Sequence, residues 1–135
     1  MFEEFDSFLS MSYSVDYWED EGISIADSKL YDFSEQDWLE LKSTIDLRGE
    51  QWQVRCIGVL GDQEHKNAFQ ILIKQAESSK SQQVQVAALD SINSILSFGK
   101  PSTEEKALLR EVIDKFTSSS SIESMLVDSL RKKVV

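Results

Sequence analysis

Residues 84–92 have the sequence VQVAALDSI, in which Val84, Ala88 and Ile92 follow one another at intervals of four residues. Apolar or small side chains at this spacing lie along one stripe of an α-helix. The spacing therefore predicts an amphipathic helix that buries one face. The sequence GKP at residues 99–101 predicts its end, because glycine and proline disfavour the continuation of a helix.

The same spacing recurs in two other predicted helices. The three sets are Trp52-Cys56-Leu60, Val84-Ala88-Ile92 and Ile122-Leu126-Leu130, offset by 32 and 38 residues. Helix pairs that cannot bury their apolar stripes alone are stabilised by stacking on similar pairs. The pattern predicts an all-α fold with about three HEAT-like antiparallel helix pairs in a short right-handed solenoid, and an ordinary helical bundle is the alternative.

Capping signals divide residues 34–135 into six predicted helices, starting near residues 34, 50, 62, 82, 102 and 122. Ser34 with Asp37, and Ser102 with Glu105, have the spacing of capping boxes. Asp62 is predicted to cap the third helix. We expect these helices to form one helical-repeat domain.

The net charge of −10 is concentrated near the start of the chain. Residues 1–40 contain 12 of the 24 acidic residues and a single lysine, so they carry −11 and the rest of the chain carries +1. An acidic field repels the phosphates of nucleic acids and membranes and attracts basic proteins. We therefore expect a basic protein partner, and no direct binding to nucleic acid or to a membrane.

Three features indicate a cytoplasmic protein. The apolar stretches are far shorter than the ~20 residues that cross a bilayer. The acidic residues at positions 3, 4 and 6 do not fit the basic start of a signal peptide. Cys56 is the only cysteine, which suits a reducing compartment because it cannot form an internal disulfide.

Few residues suit catalysis, and we expect no enzymatic activity, cofactor, bound metal or small-molecule substrate. His65 is the only histidine and is interpreted as a solvated surface residue, while Cys56 is interpreted as a buried structural thiol. An enzyme would require a cleft that brings His65 together with several carboxylates. A calcium loop starting at Asp16 fails because Gly22 falls at its seventh position, where the loop requires glycine at the sixth.

Residues 1–33 form a distinct acidic and aromatic segment that we expect to pack on the repeats. Residues 15–26 are compatible with either a helix or a loop. The aromatic rings either cap the first repeat or act as binding anchors, with the neighbouring acids pairing with lysine and arginine of a partner. The candidate partner-binding residues are Tyr13, Asp16, Tyr17, Trp18, Glu19, Asp20, Glu21 and Asp27.

The sequences MFEEF at residues 1–5 and WQVRCIGVLG at residues 52–61 resemble those of immunity proteins from bacterial contact-dependent growth inhibition systems. The resemblance extends over the whole chain, which is small, acidic and helical. It implies a cytoplasmic protein that binds the C-terminal domain of one cognate toxin, one to one, and blocks its substrate-binding or active site. Many such toxins are basic nucleases, several of which act on transfer RNA. A HEAT-like adaptor or scaffold subunit of a larger assembly is the alternative.

Overall fold

The computed structural model describes residues 1–135 and is helical throughout, without a strand. The predicted all-α class is confirmed. None of the helices is both long and apolar enough to span a membrane. The elements, in chain order, are α1 (Phe2–Ser10), α2 (Val15–Tyr17), a π-helical turn (Trp18–Gly22), α3 (Ile23–Tyr31), α4 (Glu35–Thr44), a 3-10 turn (Ile45–Leu47), α5 (Glu50–Leu60), α6 (Lys66–Ser78), α7 (Gln82–Leu96), α8 (Thr103–Lys115) and α9 (Ser121–Lys133).

The segment that was compatible with either helix or loop is helical. The Oγ atom of Ser14 accepts a hydrogen bond from the backbone N–H of Tyr17 at 3.1 Å and caps α2. The backbone of Tyr17, Trp18, Gly22 and Ile23 keeps right-handed helical angles, so α2, the π-helical turn and α3 follow one another without a break.

Both predicted capping boxes are present. The Ser34 backbone N–H donates to the Asp37 carboxylate at 2.9 Å, and the Glu105 backbone N–H donates to the Ser102 hydroxyl at 3.1 Å. The hydrogen bonds from Ser34 lower the pKa of Asp37, against the opposing effect of burial.

The prediction that Asp62 caps the third helix is wrong, because His65 occupies that position. The chain after α5 continues in two turns, in which Asp62 and Gln63 donate their backbone N–H groups to Val59 and Leu60. These turns delay the start of α6 to Lys66, and the Nδ1 atom of His65 accepts a hydrogen bond from the Asn67 backbone N–H at 3.1 Å.

One core of 28 buried hydrophobic residues runs from α1 to the end of α9. Helix α7 lies near its middle and packs against α5, α6 and α9. Helices α5 and α7 approach closely, because the Ser91 hydroxyl donates to the Ile57 carbonyl at 2.9 Å and a Cβ atom on Gly61 would lie 2.9 Å from the Ser91 Oγ. Cys56 is fully buried beside this contact, and burial raises the pKa of its thiol.

Two of the three repeated apolar sets are buried as predicted, and the third is not. Ile122 is 76% exposed, Leu126 is partly buried, and only Leu130 is fully enclosed. The main contacts of α9 are with α7 and α8. Its first turns therefore present apolar side chains to solvent, a result that spacing alone does not reveal.

Candidate functional site

The three aromatic residues predicted to bind a partner, Tyr13, Tyr17 and Trp18, form one cluster together with Phe8. The Tyr13 ring stacks on Tyr17 with 5.2 Å between ring centres, and it lies 6.0 Å from Trp18 and 5.2 Å from Phe8. Tyr13 and Trp18 are half-buried and Tyr17 is exposed. The cluster therefore has an inner side that packs on the protein and an outer side that faces solvent.

Arg55 of α5 holds the inner side of this cluster in place. Its guanidinium carbon lies 5.2 Å from the centre of both the Tyr13 and Trp18 rings, within the range of cation–π attraction. Its Nη1 atom donates to the carbonyl oxygens of Leu9 at 3.0 Å and Met11 at 2.7 Å. Arg55 thus connects α5 to the end of α1 and to the rings that follow.

The sequence interpretation missed Arg55, although one signal for it exists. Arg55 lies three residues after Trp52 and next to Cys56, on the buried side of α5. An arginine is rarely buried unless its charge has partners. A basic residue on an apolar stripe therefore indicates a specific contact, but it does not indicate which residues supply that contact.

The Tyr13 hydroxyl is buried and forms no hydrogen bond within the protein. Burial, followed by the nearby Tyr17, raises the pKa of the Tyr13 phenol, and the positive charge of Arg55 partly opposes this effect. The phenol therefore stays protonated at neutral pH and retains a free donor and acceptor.

The π-helical turn positions Trp18 against Gly22. A Cβ atom added to Gly22 would lie 2.5 Å from the Cε3 atom of Trp18, so the indole ring occupies the space that any larger residue would need. Gly22 is buried beneath this ring. Such π-helical turns are frequent at functional sites because they redirect the side chains of an otherwise regular helix.

Four carboxylates on the outer side of this region form what we call the acidic ridge. Its members are Asp16, Glu19, Asp20 and Glu21. All four are exposed, and none of them forms an ion pair or a hydrogen bond within the protein. By contrast, Asp6 is paired with Arg48, whose Nη2 atom lies 2.6 Å from the carboxylate. The ridge is therefore a concentration of unneutralised negative charge.

Asp27, the remaining predicted site residue, differs from the acidic ridge because it has a partner within the protein. Asp27 is half-buried, and its carboxylate accepts a hydrogen bond from the side-chain amide of the buried Gln63. Burial is the main cause that raises the pKa of Asp27, and the hydrogen bond from Gln63 opposes it. This acid takes part in an internal contact between α3 and the turn after α5.

A groove of about 450 Å³ lies between the N-terminal segment and α5, and we call it the α5 groove. Val15, Trp18 and Ile23 form one wall, and Val54 and Gly58 of α5 line the other side. Glu19, Glu50 and Asp62 supply its carboxylates, and the only basic residue that lines it is the buried Arg55. Glu19 belongs to both the acidic ridge and the groove.

A second cleft, of about 570 Å³, contains His65. The interpretation of His65 as a solvated residue is wrong, because the imidazole is half-buried and stacks on Trp38 with 4.8 Å between ring centres. Asp62 and Glu64 also line this cleft, but neither carboxylate forms a hydrogen bond with the imidazole. The Nδ1 atom is already used to cap α6, so the visible role of His65 is structural.

No protein-family model, curated protein or solved structure matches this chain. No group of three or more histidine, cysteine, aspartate or glutamate side chains is arranged to hold a metal ion. The acidic ridge and the α5 groove are the candidate sites on this surface.

Proposed function

We propose that this protein is an immunity protein that binds a cognate basic toxin domain, one to one, and neutralises it in the cytoplasm. The observation that carries the proposal is the acidic ridge, where four exposed carboxylates have no partner within the protein. Like charges placed together raise one another's energy, and a basic partner relieves that repulsion. The resemblance of residues 1–5 and 52–61 to immunity proteins supports a toxin as that partner.

In this proposal the ridge occupies the part of the toxin that would otherwise receive a nucleic-acid backbone. A nuclease holds substrate phosphates with lysine and arginine, and carboxylates on an inhibitor take the place of those phosphates. The long-range charge speeds encounter, while partly exposed rings such as Tyr17 and Trp18 slow dissociation. Inhibition then needs no chemical step, and transfer RNA is the substrate class we propose for the toxin.

The same proposal includes the arrangement of the helices. Residues 34–135 form a short right-handed solenoid of HEAT-like pairs, and residues 1–33 cover its first pair. The packing of α7 against both α5 and α9 supports this arrangement, as does the burial of Phe2, Phe5 and Leu9 of α1 in the common core. The N-terminal segment then serves two purposes, since its inner rings cap the repeats and its outer face meets the toxin.

A co-expression experiment tests this function. The C-terminal domain encoded by the gene directly upstream is expressed with this protein, with an empty vector, or with an unrelated immunity protein. We expect growth arrest that only this protein relieves, a one-to-one complex by light scattering, and inhibition of transfer-RNA cleavage by the purified toxin. Growth arrest that this protein does not relieve, or an upstream product with no toxicity, would rule out the proposal.

A second candidate function is that of an adaptor or scaffold subunit, and exposed apolar residues of the last two helices favour it. Ile122 and Met125 of α9 are 76% and 71% exposed, and Leu108 of α8 is 47% exposed. Ile122 and Met125 are three residues apart on the same helix, and exposed apolar side chains that adjoin one another are typical of surfaces that contact another subunit. In that case Ile122→Lys with Met125→Lys would release the protein from its native assembly, whereas charge reversal of the acidic ridge would not.

A further inference from the structure

Gly58 occupies a position in α5 where the protein itself gives no reason for a glycine. It is exposed, it lies within the helix Glu50–Leu60, and a Cβ atom there would meet nothing within 4 Å. Gly22 and Gly61 differ, because a Cβ atom at either would collide with Trp18 or Ser91. Glycine within a helix is less stable than alanine. Gly58 therefore weakens α5 and leaves open space above its backbone.

That open space belongs to the α5 groove. The groove combines apolar side chains, among them Val15, Trp18 and Val54, with carboxylates at Glu19 and Asp62. One basic group, Arg55, is fewer than the three carboxylates of Glu19, Glu50 and Asp62, so the groove keeps a net negative charge. The Arg55 guanidinium is also buried and donates to two backbone carbonyl oxygens. The groove is therefore apolar inside and negatively charged at its edges, which is complementary to a basic, amphipathic occupant.

The surrounding architecture favours a helical occupant. Adding a strand to the edge of a sheet is one of the main ways in which an extended peptide binds, and this protein has no strand to which one could be added. The groove exposes a face of α5 instead, on which Val54 and Gly58 are four residues apart. A small residue at a helix crossing allows the second helix to approach closely, and side chains of the second helix fill the space on either side.

We propose that the α5 groove receives a basic amphipathic helix of the partner protein, whose backbone crosses α5 at Gly58. The apolar face of that helix packs on Val15, Trp18 and Val54, and its lysine or arginine side chains reach Glu19 and Asp62. This inference rests on the proposed binding of a basic protein, but it does not require that the partner be a toxin. Beyond the proposed function, the partner is recognised through a helix, and that helix crosses α5 at Gly58.

A synthetic peptide tests the inference without the natural partner. The probe is an amphipathic helix about five turns long, with leucine along one face and lysine on the other faces. A control peptide carries glutamate in place of lysine. Binding is measured by fluorescence anisotropy, and the contact surface is mapped by ¹⁵N-HSQC spectra of the whole protein.

Two leucine substitutions distinguish peptide binding in the α5 groove from peptide binding elsewhere on the surface. Gly58→Leu fills the space above α5, whereas Ala107→Leu adds a side chain at an exposed position of α8 outside the groove. We expect the lysine peptide to shift the amide signals of Val15, Glu19 and Gly58. We also expect Gly58→Leu to weaken its binding at least about tenfold and Ala107→Leu to leave it unchanged. The melting temperatures of both variants show that they are folded.

Several results would overturn the inference. These are no binding of the lysine peptide, equal binding of the glutamate peptide, signal changes confined to α8 and α9, or unchanged affinity in a folded Gly58→Leu variant. None of these results changes the outcome expected of the protection assay with the wild-type protein. The proposed function is therefore tested independently of this inference. If protection persists while Gly58→Leu binds the peptide normally, the ridge binds the toxin without a helix in the groove.

Discussion

The guanidinium carbon of Arg55 lies 5.2 Å from the centre of the Trp18 ring, and a Cβ atom on Gly22 of the π-helical turn would lie 2.5 Å from the Cε3 atom of the same ring. Trp18 is therefore in contact both with a cation on α5 and with a backbone position that leaves no room for a side chain. This arrangement connects the N-terminal segment to α5, and both Trp18 and Arg55 line the α5 groove. The ring thus has a structural role, and its exposed part remains available to a partner.

Gly22→Ala should destabilise the protein, because the new Cβ atom would lie 2.5 Å from the Trp18 ring and force it to move. Overpacking usually costs about 1–3 kcal/mol, and alanine in place of a helical glycine recovers up to about 1 kcal/mol, so we expect a net loss of up to about 2 kcal/mol in the free energy of unfolding. Trp38 and Trp52 are buried, so quenching of tryptophan fluorescence by neutral acrylamide, which the acidic ridge does not repel, reports mainly on Trp18 and should increase. Unchanged stability and quenching would show that the indole is not confined by Gly22.

His65→Ala should destabilise α6, since the imidazole caps that helix and stacks on Trp38. Loss of the cap alone costs about 1 kcal/mol in the free energy of unfolding. His65→Asn is the matched control, because asparagine is also a good helix cap and removes only the stacked ring. Urea denaturation should therefore rank the wild type first, His65→Asn second and His65→Ala last. A loss below about 0.5 kcal/mol for His65→Ala would fit a solvated histidine instead.

The contrast between Asp62 and His65 illustrates what the sequence could and could not predict. Capping boxes at Ser34 and Ser102 were predictable because both partners lie within one turn of the chain. The start of α6 was not predictable, because two extra turns follow α5 and move the cap from Asp62 to His65. Local signals therefore predicted the helices well and this connection poorly.

The candidate site, too, could be predicted from local sequence signals only in part. Charge and composition identified the segment that contains the acidic ridge, because both are properties of nearby residues. The contacts of Arg55 with Tyr13 and Trp18 join residues about forty positions apart, and no spacing rule relates them. Asp27 was grouped with the ridge by composition, yet the fold turns it toward Gln63. Likewise, the exposure of Ile122 depends on which helices pack against α9.

Asp27→Asn should stabilise the protein at neutral pH and leave partner binding unchanged. Burial raises the pKa of Asp27 above that of a free aspartate, so the ionised carboxylate disfavours folding. This penalty is absent below the ordinary aspartate pKa of about 3.9 and develops as the pH rises through the raised value. Asparagine keeps an oxygen for the hydrogen bond from Gln63 but carries no charge.

Urea denaturation of the wild type and Asp27→Asn as a function of pH measures this effect. The difference in the free energy of unfolding should be positive at pH 7 and shrink toward zero in acid. A variant that is less stable than the wild type at pH 7 would show that the ionised form of Asp27 is needed for the contact with Gln63. Weaker toxin binding by the folded variant would show that Asp27 is one of the residues that bind the partner.

The central claim is that the acidic ridge captures a basic partner, and charge reversal addresses it most directly. The variant replaces Glu19, Asp20 and Glu21 with lysine, and a control variant makes the same change at Asp90, Glu111 and Asp128, which are exposed on α7, α8 and α9. Both variants change the net charge equally, so any difference between them depends on position. The wild type and both variants are compared by circular dichroism to verify that the helices remain.

The decisive measurement is the association rate of each protein with the toxin domain as a function of salt concentration. We expect the ridge variant to associate at least about tenfold more slowly than the wild type at low salt, with a much weaker dependence on salt. The control variant should retain most of the wild-type rate and its salt dependence. Equal rates for the ridge variant and the control would contradict the account, and they would mean that the ridge has no special part in binding.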